Sequence, residues 1–132
     1  MPSFGPNPGG PDAAQPMIDW IIAAPPAELA AELMEAFSPE VPRRVPWLGS
    51  TEFEERMFRG YPARTGFILP ARPVQEPILE AIQLLEHAEL VYVRYISITD
   101  GGRSWNATRL GLATLAEGKA AVRQRIKERT GL

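Results

Sequence analysis

The stretch VYVRYISITDGGRSWNATRLG, residues 91–111, decides the fold. Its first part alternates Val, Tyr and Ile, residues that suit a pleated, half-buried surface, and predicts a strand over 91–98. Thr99-Asp100-Gly101-Gly102 then reads as a tight hairpin turn, because paired glycines supply the positive φ such turns require. A second strand follows over 103–110. Arg94, Arg103 and Arg109 ride on this hairpin. Trp105 is expected to cover the apolar face of its own sheet rather than to stack on a base.

Upstream, PILEAIQLLEHAEL predicts a helix over 77–90 that runs almost directly into the first strand. Ile78, Ala81, Ile82, Leu85 and Ala88 form an apolar stripe at helical spacing. Glu76, Glu80, Gln83 and His87 fall on the opposite face. Downstream, Thr114 with Glu117 matches a capping box and predicts a last helix over 115–129. That helix ends in a basic run, which complements the negative end of the helix macrodipole.

Further toward the N-terminus, residues 1–16 hold five prolines and three glycines and read as a disordered tail. MIDWIIA (17–23) predicts a short helix docking through Trp20, Ile21 and Ile22. After Pro25-Pro26, AELAAELMEAF (27–37) predicts a helix with Leu29, Leu33, Met34 and Phe37 inward and Glu28, Glu32 and Glu35 outward. A proline-rich connector over 39–50 pins Trp47 to the core, and Thr51 with Glu54 caps a helix over 52–60. Residues 61–77 form a long connection, with a short strand expected at Gly66–Leu69. The result is one domain over 17–132, mainly α with a small antiparallel β-hairpin (α+β).

The totals narrow the function. The net charge of −2 hides an asymmetry: residues 1–42 carry six acids and no Lys or Arg, whereas 43–132 carry all fourteen Lys and Arg with ten acids. With no cysteine and one histidine the usual zinc sites are excluded, and no calcium-loop spacing occurs. Gly101-Gly102 lacks a phosphate-loop lysine, and no serine sits in a nucleophile elbow. These readings point away from an enzyme, and imply no metal and no cofactor. No apolar run spans a bilayer and the first residues do not read as a secretory signal, so a cytoplasmic protein without a membrane partner is expected. The sequon Asn106-Ala107-Thr108 carries no weight without an export signal.

The order helix, tight junction, strand, glycine turn, strand, helix over residues 78–122 resembles the C-terminal half of a winged helix-turn-helix domain of the MarR/PadR sort. The junction Leu85-Glu86-His87-Ala88-Glu89-Leu90-Val91 matches a Leu-x-x-x-Gly-Leu-Val pattern with Glu89 in place of the glycine. Thr114-Leu115-Ala116-Glu117-Gly118 matches a Leu-Thr-x-x-Gly helix start with its glycine one place late. The resemblance covers about a third of the chain. It implies a small DNA-binding protein, a transcriptional regulator, whose wing contacts DNA through Arg94, Arg103 and Arg109, with Gln83 and His87 on the helix that faces the groove. It also implies that a flanking helix, here 27–37, serves as a homodimer seam. The chain departs from that pattern in two places. A proline-rich loop stands where a helix and turn should precede 77–90, and that helix has acids and no Lys or Arg on its exposed face. An alternative is therefore an adaptor that binds a protein partner through Glu76, Glu80, Gln83 and Glu86, without binding DNA.

Overall fold

The computed structural model describes residues 15–38, 67–68, 72–96 and 103–132, apart from the side chains of 67–68, 94–96 and 103–104. Residues 1–14 of the tail expected over 1–16, the position of Trp47, the helix over 52–60 and the turn over 99–102 lie outside the described residues.

Helix α1 spans Gln15–Ala23, so its first two residues belong to the segment expected to be a tail. Gln15 Nε2 donates to Asp19 Oδ1 at 2.9 Å across the first turn. The helix docks through Met17, Ile18 and Ile21, while Ile22 turns to solvent. Spacing explains the difference from the expected trio: 17, 18 and 21 share one face, which 22 leaves.

Pro25 and Pro26 separate α1 from α2, Pro26–Leu33, with Pro26 at the position where a missing N–H is harmless. A 3₁₀ turn, Met34–Phe37, tightens the end, and Ser38 is extended ahead of Pro39. Leu29, Leu33, Met34 and Phe37 are buried in this chain's own core, as their spacing predicts. Glu32, expected on the outer face, is also buried. The helix over Lys119–Thr130 packs across α2 and covers it.

Helix α3 spans Gln75–His87. It starts two residues before Pro77, which falls in the first turn and costs no hydrogen bond there. The predicted stripe of Ile78, Ala81, Ile82, Leu85 and Ala88 is buried throughout. The helix stops three residues short of the expected end, and the cause is local. Glu89 adopts φ of 65°, in the left-handed region. Its N–H donates to Glu86 O and the Leu90 N–H to Leu85 O, both at 2.9 Å. This is the paired closure of a Schellman motif, and Leu85 and Leu90, the two positions at which that motif favours apolar residues, are both buried. The glycine of the winged-helix junction pattern would occupy this same left-handed position.

The chain then enters a three-stranded antiparallel sheet of order β1-β3-β2, formed by β1 (Phe67–Ile68), β2 (Val91–Ile96) and β3 (Arg103–Ala107). Val91 pairs with Ala107 and Val93 with Trp105, while Phe67 pairs with Trp105 from the other side. The pairing of the two hairpin strands and the short strand near 66–69 thus form as the sequence predicts. The register shifts between Val93 and Tyr95, which makes Arg94 the extra residue of a bulge.

β3 ends at Ala107 rather than at 110, because Thr108 caps helix α4, Arg109–Glu117. Thr108 Oγ1 accepts from Gly111 N at 2.9 Å and donates to Glu89 O at 2.7 Å. Thr114 is no cap: it lies inside α4 and its hydroxyl donates back to Leu110 O at 2.8 Å. Gly118, with φ of 112°, then breaks the expected single helix into α4 and α5, Lys119–Thr130. The core gathers α1, α2, α3 and α5 around the inward face of the sheet, with Trp105 fully buried at its centre.

Candidate interaction surface

The charged and polar side chains that bear on function fall into three groups, of which the first two hold the residues singled out in the sequence. The first is the outer face of α3. Glu76, Glu80, Gln83 and His87 are all exposed and recur at steps of four, three and four, so they line one face opposite the buried stripe. Two carboxylates and no Lys or Arg occupy it. Glu86 is exposed at the edge of this face, and its Oε1 accepts from Trp105 Nε1 at 2.8 Å. One oxygen of Glu86 thereby anchors the buried indole and ties α3 to the middle strand. The same bond, with full burial, withdraws Trp105 from any stacking role on a ligand.

The second group is the arginines. Arg94 sits at the β2 bulge and Arg103 pairs with Ile96 in the last pair before residues 97–102, and both side chains lie outside the described residues. Arg109 is exposed, but it is the first residue of α4 rather than a strand residue, because Thr108 diverts the chain before it. Of the three arginines expected on the hairpin, the structure therefore brings two to the strands and one to a helix start.

The third group lies on α5. Arg125 and Arg129 both reach Glu89, with Nη2 to Oε1 distances of 3.1 and 2.7 Å, and Arg125 Nε also donates to Ala88 O at 3.1 Å. These cations close the C-terminal end of α3, where unpaired carbonyls attract positive charge. At the opposite end of α5, Lys119 Nζ pairs with Oε1 of the buried Glu32. That hydrogen bond, followed by the fields of Glu32 and Glu35, holds the lysine ammonium above its ordinary range against the opposing effect of burial.

Glu32 is the residue that periodicity misplaced. Helical spacing puts it on the outer side of α2 with Glu28 and Glu35, and nothing local signals that a later helix will cross there. The lysine that opens α5 after Gly118 was the available clue.

Among the described residues no helix is long and apolar enough to cross a membrane, and no cluster of His, Asp and Glu could hold a metal ion. No protein-family model, no curated protein and no solved structure matches the chain.

Proposed function

We propose that this protein is a winged-helix-type interaction module that presents the outer face of α3 to a basic segment of another protein. The observation that carries this reading is the run of Glu76, Glu80, Gln83 and His87, exposed from the first turn of α3 to the last with no Lys or Arg on the helix. In DNA-binding winged helices the element before the hairpin approaches phosphates, and a carboxylate face there is repelled. Three cations that could offset it are placed otherwise. Arg125 and Arg129 are paired with Glu89, and Arg109 stands at the start of α4. The winged-helix reading draws support from the strand order β1-β3-β2 and from a helix between β1 and β2 that closes on a left-handed residue. One feature departs from it: a single helix, α3, lies between β1 and β2 among the described residues.

A second reading, DNA contact through the wing, is favoured by the placement of Arg94 and Arg103 on paired strands. Fluorescence anisotropy separates the two readings, using a labelled arginine-rich peptide and a labelled random duplex at low and then moderate salt. The interaction reading expects the peptide to bind. The double change Glu76→Lys with Glu80→Lys should abolish that binding, and Glu117→Lys with Glu128→Lys, equal in charge but elsewhere, should leave most of it. Duplex binding that falls with salt and is lost in Arg94→Ala with Arg103→Ala would overturn it in favour of DNA.

A further inference from the structure

A cavity of about 640 Å³ lies where α1, α2 and α5 meet, on a different part of the molecule from the outer face of α3. Its apolar lining comes from Trp20, Ala31 and Ala120, and its charged lining from Glu28, Glu32, Lys119 and Arg123. Two acids face two bases, so the formal charge of the lining is balanced. The volume falls within the range of small-molecule sites.

Hydrogen bonding in this lining is incomplete in a specific way. Glu32 is 5% exposed, and while Oε1 holds Lys119, its Oε2 is buried without a hydrogen-bond partner. Arg123 Nη1 is likewise buried without a partner. Leaving a buried polar group unpaired is costly, and more so when it is charged. Glu32 Oε2 and Arg123 Nη1 are thus an acceptor and a donor left unsatisfied on two residues that line the same cavity, and they do not satisfy each other. Both atoms are buried, so a ligand in the cavity meets them only as the terminal torsions of Glu32 and Arg123 turn toward it.

We propose that this cavity binds a small zwitterion, an α-amino acid with a flat apolar side chain. Its ammonium donates to Glu32 Oε2, its carboxylate accepts from the Arg123 guanidinium, and its side chain lies against Trp20 and the two alanines. A guanidinium fork matches a carboxylate in shape as well as charge, and an ammonium is the complementary donor for a carboxylate oxygen. A lone anion would leave Glu32 unpaired, and a lone cation would leave Arg123 unpaired. Only a ligand bearing both ends resolves both.

Isothermal titration of the full chain with L-phenylalanine tests this, beside phenethylamine, which lacks the carboxylate, and 3-phenylpropionate, which lacks the amine. L-Phenylalanine should bind and each one-ended analogue should bind at least tenfold more weakly. Arg123→Ala should lose the preference for L-phenylalanine over phenethylamine, and Arg123→Lys should keep part of it. Arg123 contributes to no ion pair among the described residues, so both variants are expected to fold, whereas Glu32→Gln would also disturb Lys119. No heat with L-phenylalanine at millimolar concentration would overturn the proposal. Equal binding of all three compounds, or an unchanged preference in a folded Arg123→Ala, would do the same.

Discussion

Replacing Gly111 by alanine tests the tightest junction in the molecule. Gly111 lies in the first turn of α4, where its N–H is held by the Thr108 hydroxyl. A Cβ there would stand 2.0 Å from Leu90 O, 2.9 Å from Leu90 C and 3.1 Å from Met34 Cε. Carbon and carbonyl oxygen ordinarily meet no closer than about 3.3 Å, so the clash with Leu90 O is roughly 1.3 Å deep. The methionine tip can swing away. The carbonyl cannot, because Leu90 O accepts from Thr108 N at 2.9 Å and Leu90 itself closes α3. Helix α4 must therefore lift, loosening Thr108 from both of its partners. Helix propensity alone favours alanine over glycine by up to about 1 kcal/mol. Overpacking costs about 1–3 kcal/mol and losing the cap about 1 kcal/mol, so after the propensity gain a net loss of about 1–3 kcal/mol is expected. For a chain of this length that lowers Tm by roughly 3–12 °C. Urea titration followed by far-ultraviolet circular dichroism reads the free energy directly, and Ala113→Gly, exposed on the same helix, calibrates propensity alone. A Gly111→Ala protein as stable as the parent, or more so, would refute the close approach of α4 to the Leu90 carbonyl.

Two further expectations concern charge. Glu89→Gly removes a side chain from the left-handed region, a relief of about 1 kcal/mol, and forfeits half-exposed ion pairs worth up to about 1 kcal/mol. The variant should lie within about 1 kcal/mol of the parent in dilute buffer and gain on it in high salt, where only the parent loses screened pairs. Urea midpoints that respond identically to salt would contradict this. The Lys119–Glu32 pair raises the folded pKa of the lysine, so its contribution is complete below the unfolded value near 10.4 and is lost as pH climbs through the higher folded value. The stability difference between the parent and Lys119→Met should therefore be flat from pH 7 to about 10 and shrink above that. A difference that shrinks on acidification from pH 9 to 7 would show the sign to be wrong.

How much of this molecule the sequence discloses depends on how local each cause is. The stripe of α3 and the buried residues of α2 follow from spacing, and so does the pairing of 91–96 with 103–107, because periodicity records a single flat partner on one side. Capping did not follow from motif matching. Thr114 with Glu117 fits the capping pattern as well as any pair in the chain, yet Thr108 takes the role because Glu89 O and Leu90 O lie within its reach. That choice is made by chain segments nineteen residues away. It also moved Arg109 from a strand to a helix and, with Gly118, split the last helix in two. The outer face of α3 was legible residue by residue. The cavity beneath α5 was not, since Glu32, Lys119 and Arg123 converge only after α5 crosses α2.

The two feet of the hairpin are fastened to each other by Thr108 N to Leu90 O and by the Val91–Ala107 pair. Residues 91–107 thus form a loop closed at its own base, with Trp105 buried in the core and Val93 packed against it. Lengthening such a loop by six residues at its far end adds only about 0.3 kcal/mol of closure entropy. The reach of the hairpin is therefore an evolvable dimension: it can grow or shrink toward whatever it touches while the helical body keeps the same stability.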